Sequence, residues 1–172
     1  MEYTDTYAVG ASIRAKTVIY SAAFLIPALF SAPQWVTGTV VNALLFLAAA
    51  RLPEKDLIPV SVLPSLGAVT HGVLFGPQTI FLYYFLPFIW IGNYTLIKIF
   101  CSLNKTSLPL SITLSSIGKY IVLSAASFIY VRFGIAPPLF ATAMGMLQLI
   151  TAIAGGVFFY GYMHYLQRHE RI

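Results

Sequence analysis

Acidic residues are scarce in this chain. There are five, Glu2, Asp5, Glu54, Asp56 and Glu170, and none falls inside a long apolar run. Charge of either sign is thin. Asp, Glu, Lys and Arg together make up 9% of the 172 residues, against roughly 25% in soluble domains. Hydrophobic residues reach 59%, and a soluble fold of this length has too little interior to hide them. With a mean hydropathy of +0.83, lipid is the expected solvent for most of the chain. Cysteine occurs once, at Cys101, which excludes an intrachain disulfide and a cysteine-rich metal site. Catalytic signatures are missing too. The chain has no G-x-S-x-G, no H-E-x-x-H, no phosphate-binding G-x-x-x-x-G-K and no carboxylate pair at membrane depth. His71, His164 and His169 are not spaced as a metal site. No enzyme, cofactor or metal is expected, and an ATP-driven step would need another polypeptide.

What is present is a series of apolar runs, each near the roughly 20 residues that cross the hydrocarbon core. The runs predict one domain, residues 1–172, built as a single bundle of about six transmembrane helices. Helix 1 is expected over Ile13–Phe30, ended by Ser31-Ala32-Pro33-Gln34, and helix 2 over Val36–Leu52, ended by Pro53-Glu54-Lys55-Asp56. Helix 3 covers Leu57–Phe75, with Pro59 in its first turn and Pro64 inside it; Gly76-Pro77 follow. Helix 4 covers Thr79–Phe100 with Pro87 inside, helix 5 Leu108–Val131, and helix 6 Leu139–Leu166. The stretch Val18–Phe30 has the length of a signal-peptide core, but the run reaches back to Ile13 and is read as the first span. Barrel strands alternate apolar and polar residues, whereas Val40 to Leu47 is nearly continuous, so helices are expected rather than a β-barrel.

The net charge of +5 does not point to nucleic acid, because the basic residues are scattered between apolar runs rather than clustered. Their placement sets orientation instead. Arg14, Lys16, Arg51, Lys55, Lys98, Lys105, Arg168 and Arg171 all fall at one end of the expected bundle, and only Arg132 at the other. The Lys/Arg bias of short loops then puts both termini in the cytoplasm of a multi-pass protein of the cell membrane.

Polar groups at membrane depth are costly and are functional candidates by default. Lys119 is the sharpest. A central lysine costs about 2.5–3.5 kcal/mol on insertion scales, and no acid lies in any expected span to pair with it. Three readings stand: a neutral amine, a snorkelling side chain, or a cation that awaits an anion from outside. Asn42, His71, Asn93 and Gln148, on helices 2, 3, 4 and 6, fall near the middle or in the outer half. Ser65 on helix 3 is a further polar group there. Singly, each amide is accounted for by an interhelical hydrogen bond; together they outline a polar pocket. Trp35, Tyr83 and Tyr84 sit where an interfacial belt or a pocket rim would be, and Trp90 is deep enough to be core or pocket wall. Small residues four apart allow close helix approach. They occur at Ala11 and Ala15, Ala28 and Ala32, Ala141 and Gly145, and Ala152 and Gly156.

In layout, the chain resembles the substrate-binding S components of energy-coupling factor transporters. The residues that carry the resemblance are Ala11-x-x-x-Ala15 on helix 1, Gly145 to Ala152 on helix 6, Pro64-Ser65-Leu66 and Pro87 to Asn93. The family's first outer loop is often longer than Ser31 to Trp35 here. The resemblance implies a vitamin or similar micronutrient bound from outside. It also implies a transmembrane coupling subunit, met by Ala11 and Ala15, and partner ATPases. On that reading a small ligand, carrying an anionic group for Lys119, meets Asn42, His71, Asn93, Lys119 and Gln148, with Trp35, Tyr84 and Trp90 as flat apolar contacts. Two rival functions fit the same sequence: a structural subunit of a larger membrane complex, and a stand-alone channel or ion-coupled carrier.

Overall fold

The computed structural model describes residues 13–30, 33–72, 76–103 and 106–169, and among them every regular element is helical. The helices are α1 (Ile13–Leu29), α2 (Gln34–Arg51), α3 (Leu57–His71), α4 (Leu82–Ser102), α5 (Leu108–Arg132), α6 (Leu139–Ala143) and α7 (Met146–His169). Short 3-10 turns, Glu54–Asp56 and Gly76–Phe81, lead into α3 and α4. Ala11, Ala32, Lys105, Glu170 and Arg171 lie outside the described residues.

Two boundaries differ from the sequence reading, each for a local reason. α3 stops at His71, not Phe75, because Gly72 takes a left-handed conformation (φ 70°) and caps the helix; residues 73–75 lie outside the described residues. The expected helix 6 is broken in two at Met144-Gly145. A Cβ on Gly145 would sit 2.3 Å from the carbonyl oxygen of Ala141, so the turn there admits no larger residue. A smaller shift is at α4, whose first turn from Thr79 is 3-10 and becomes α-helical at Leu82.

Helix directions follow from the contacts. Tyr20 donates to the backbone of Asp56, and further along the same two helices His71 meets the carbonyl oxygen of Ala28, so α1 and α3 run parallel. α2 and α7 also run parallel, since Gly38 faces Thr151 and Asn42-Ala43 face Gly155. α3 and α4 are antiparallel, with Ser65 against Trp90 and Ser61 against Asn93. So are α4 and α5, with Gly92 against Leu123 and Gly118 against Ile99. The chain therefore alternates, and Ile13 and His169 lie at the same end.

Two parallel pairs approach at backbone distance. A Cβ on Gly67 would fall 2.2 Å from the carbonyl oxygen of Phe24, and one on Gly155 2.6 Å from that of Thr39. Ala152 is fully buried in the second contact. The small residues of α7 thus serve packing within the chain.

Buried apolar side chains form two clusters. One, around Leu45, Phe46, Leu96, Ile97 and Phe159, lies toward the end that holds Ile13 and His169. The other, around Leu82, Phe85, Leu123 and Phe140, lies toward the opposite end. Between them in register sit buried polar residues from every long helix except α1, including Asn42, Ser61, Ser65, Asn93, Ser115, Ser116, Lys119 and Thr151. The outside is apolar: Phe128 is 70% exposed, Phe158 69% and Val157 63%. Three helical stretches, Pro77–Ser102, Leu108–Arg132 and Leu139–Arg168, are long and apolar enough to cross a membrane. α1, α2 and α3 are shorter, at 17, 18 and 15 residues.

Candidate functional site

A cavity of about 90 Å³ opens in this polar layer. It is lined from α1, α2, α3, α4, α5, the α6–α7 break and α7; the α2 contributions come from the N-terminal half of that helix, and those of α4 run from its first residue, Leu82, to Asn93 near its middle. With the chain alternating, that puts the cavity in the half of the molecule away from the Lys/Arg-bearing turns.

Lys119 is the charged side chain in its wall. It is 3% exposed, and its Nζ donates to Asn42 Oδ1 at 2.7 Å. The two described acids, Glu54 and Asp56, are taken by Lys98 and Lys16 at the far end, so Lys119 has no carboxylate partner among the described residues. A single amide oxygen is a weak counterpart for a buried ammonium, whose desolvation calls for a full opposite charge.

Asn42 is itself held firmly. Its Nδ2 donates to the carbonyl oxygen of Gly38 at 2.8 Å and to Thr151 Oγ1 at 3.3 Å. The close α2–α7 approach at Gly155 makes the second bond possible. Because a backbone carbonyl can only accept, the Asn42 amide has one possible orientation, with its oxygen toward Lys119.

The same logic orients the other amides of the cavity. Asn93 Nδ2 donates to the carbonyl oxygen of Ser61 at 2.9 Å, leaving Oδ1 buried with no hydrogen-bond partner among the described residues. Gln148 Nε2 donates to the carbonyl oxygen of Ala143 at 3.1 Å, and Gln34 Nε2 reaches the same oxygen at 3.4 Å. Thus the break between α6 and α7 supplies a backbone acceptor that fixes two glutamines at once.

The structure brings Asn42, Asn93, Lys119 and Gln148 together around one cavity. Trp90 stands behind the wall and donates its Nε1 to Ser65 Oγ, which lines the cavity, at 2.7 Å. His71 is not in the lining. Its Nδ1 meets the carbonyl oxygen of Ala28 at the C-terminal end of α1, so it ties α3 to α1. Trp35 and Tyr84 are 61% and 53% exposed on the outer surface, away from the cavity. Their rings lie at helix ends, where an interfacial belt and a pocket rim look alike in sequence, and the register turns both outward. Gln34, Thr37 and Ser65 line the cavity but were not among the residues expected to bind. Gln34 and Thr37 lie in the first turn of α2, where polar residues are unremarkable. Their signal is the spacing Gln34, Thr37, Gly38, Val41, Asn42, one face of a helix. Ala15 lies on α1, half-buried, at the end away from the cavity.

No protein-family model matches this chain, and neither a curated protein nor a solved structure is similar to it. The likeness to S components of energy-coupling factor transporters therefore stands on layout and on a few short motifs.

Proposed function

We propose that the chain is the substrate-capture subunit of a membrane uptake transporter, spanning the membrane six times with both termini on the cytoplasmic side. It takes a small anionic ligand from the opposite side and relies on a separate coupling subunit and ATPases. The observation that carries this reading is Lys119: a buried lysine, hydrogen-bonded to one amide, in the wall of a cavity and without a carboxylate among the described residues. A group held at such cost is suited to an anion that arrives from outside. The cavity lies away from the basic turns, hence on the outer side by the charge bias of the loops. The short helices α1, α2 and α3 count as spans on this reading, and the 3-10 turn at Gly76–Phe81 lengthens the span of α4. The coupling face is the N-terminal part of helix 1, at Ala11 and Ala15. A purely structural role draws less support, since the small residues of α7 are already used within the chain.

The test is a pair of measurements on gently purified protein. Mass spectrometry of molecules released on denaturation should find a small organic anion in stoichiometric amount. Lys119→Met preserves length and removes charge, and should weaken binding of that molecule more than about tenfold, the equivalent of about 1.4 kcal/mol. Unchanged affinity in a well-folded Lys119→Met protein would remove the lysine from the site.

A further inference from the structure

The amides of the cavity share one feature that narrows the ligand. In Gln34, Asn93 and Gln148 one hydrogen of the NH2 group goes to a backbone carbonyl oxygen, at 3.4, 2.9 and 3.1 Å respectively. Flipping any of them would set two oxygens against each other, so the orientation is chemically fixed. Their carbonyl oxygens accept no hydrogen bond among the described residues, and that of Asn93 is buried. The cavity thus offers the Lys119 amine, three oriented acceptors and the second hydrogen of each amide.

We propose that this cavity receives a small hydroxylated monocarboxylate, its carboxylate on Lys119 and its hydroxyl hydrogens on the amide oxygens of Asn93, Gln148 and Gln34. The proposal rests on the capture reading above and specifies its substrate class. Each part follows from the lining. One lysine, with no second cation in the wall, matches one negative charge; a dianion would bring an uncompensated charge into a desolvated site. Phosphate and sulfate present mainly acceptor oxygens, which would face the amide oxygens lone pair to lone pair. A plain aliphatic acid satisfies Lys119 but leaves the buried Asn93 oxygen without a donor. An ammonium-bearing ligand supplies donors but sets a second cation near Lys119. Neutral hydroxyls supply donors without charge. Size agrees. An apolar cavity of about 150 Å³ holds benzene, so 90 Å³ suits a molecule of three or four carbons. The apolar part of the wall, Val41, Leu82, Ile89 and Met144 among others, covers its carbon chain.

The experiment uses the full chain in lipid nanodiscs and calorimetric titration with propionate, lactate and glycerate. These share one carbon skeleton and carry zero, one and two hydroxyls. Affinity should rise at each step by roughly three- to tenfold, the yield of one good neutral hydrogen bond, and all binding should fall in Lys119→Met. 2-Fluoropropionate stays close to lactate in size and loses the donor, and should bind like propionate; this arm leaves the protein untouched. Propionate binding as tightly as glycerate overturns the donor reading while leaving anion capture in place. So does inorganic phosphate binding more tightly than all three. If none of these probes binds, the molecule released from purified protein decides: a hydroxylated monocarboxylate supports the proposal, and any other anion overturns it alone. No released molecule and no binding would sink anion capture itself, and the proposal with it.

Discussion

Asn42 joins two helices and a buried lysine with one side chain, so its removal should reach beyond a single bond. It accepts from Lys119 and donates to Gly38 and Thr151. Asn42→Ala leaves the lysine without its protein partner. We expect a loss of roughly 1–3 kcal/mol, the usual cost of stranding a buried polar group. The same change made in Lys119→Met should cost clearly less, because no amine is stranded. Thermal unfolding of the four proteins in one detergent measures this, and equal losses in both backgrounds would show that the bond carries no coupling. At this scale much of the site was legible. Asn42, Asn93, Lys119 and Gln148 stood out because polar groups within apolar runs are expensive and rarely idle. Partner and direction were not legible. That Gln148 and Gln34 share the carbonyl oxygen of Ala143 depends on a helix break, and that Trp35 turns outward depends on register, and neither is written in hydropathy.

Helix pairing depends on a few positions without side chains. Gly67 has no room for a Cβ, which would lie 2.2 Å from the Phe24 carbonyl oxygen and 3.2 Å from the Ala28 backbone nitrogen. Gly67→Ala must therefore push α3 off α1, and a loss of about 1–3 kcal/mol is expected from such overpacking. Gly161, late in α7, has nothing within 4 Å, so Gly161→Ala should instead stabilise by about 0.5–1 kcal/mol through helix propensity. The pair, compared by thermal unfolding, separates close packing from propensity; equal shifts of one sign would contradict it. The turn between α2 and α3 carries a pH signature. Lys98 from α4 hydrogen-bonds Glu54 and holds its carboxyl below the ordinary 4.5. A carboxyl whose folded value is depressed contributes stability above its unfolded value and loses it as pH falls through the folded one. The wild type should therefore exceed Glu54→Gln in melting temperature at neutral pH and low salt. The gap should be small, since Glu54 is exposed, and should close as pH falls through the depressed value of its carboxyl and in high salt. A gap independent of pH would exclude the ion pair as its cause. The long elements were legible from apolar run length, but the Gly72 stop and the Gly145 break were not. A glycine in an apolar run reads the same whether it continues the helix, ends it or lets a neighbour approach.

The whole molecule alternates in direction, and this ties its topology to a single choice. The parallel pairs α1–α3 and α2–α7, with antiparallel α3–α4 and α4–α5, put Ile13, the turn at Glu54–Asp56 and Arg168 at one end. The turn at Gly76–Phe81 and the cavity lie toward the other. Fixing one end in the cell therefore fixes both. The Lys/Arg residues concentrate at the first end, and the bias of short loops assigns it to the cytoplasm. The ion pairs there, Lys16 with Asp56 and Lys98 with Glu54, do not cancel the bias, because acids weigh little in that rule. Two single-cysteine proteins decide the orientation, with Cys101→Ser as background. Gln78→Cys sits on an exposed turn at the cavity end, and Arg168→Cys is exposed at the other. A membrane-impermeant maleimide added to intact cells should label position 78, and position 168 only after the membrane is opened. The reverse pattern would invert the molecule and turn the cavity toward the cytoplasm, where a capture subunit could not meet a ligand from outside. Labelling of both positions in intact cells would contradict a chain held across the membrane between them. On the proposed uptake reading, an outer cavity is the property that matters most directly, because Lys119 must then meet an external anion from that side.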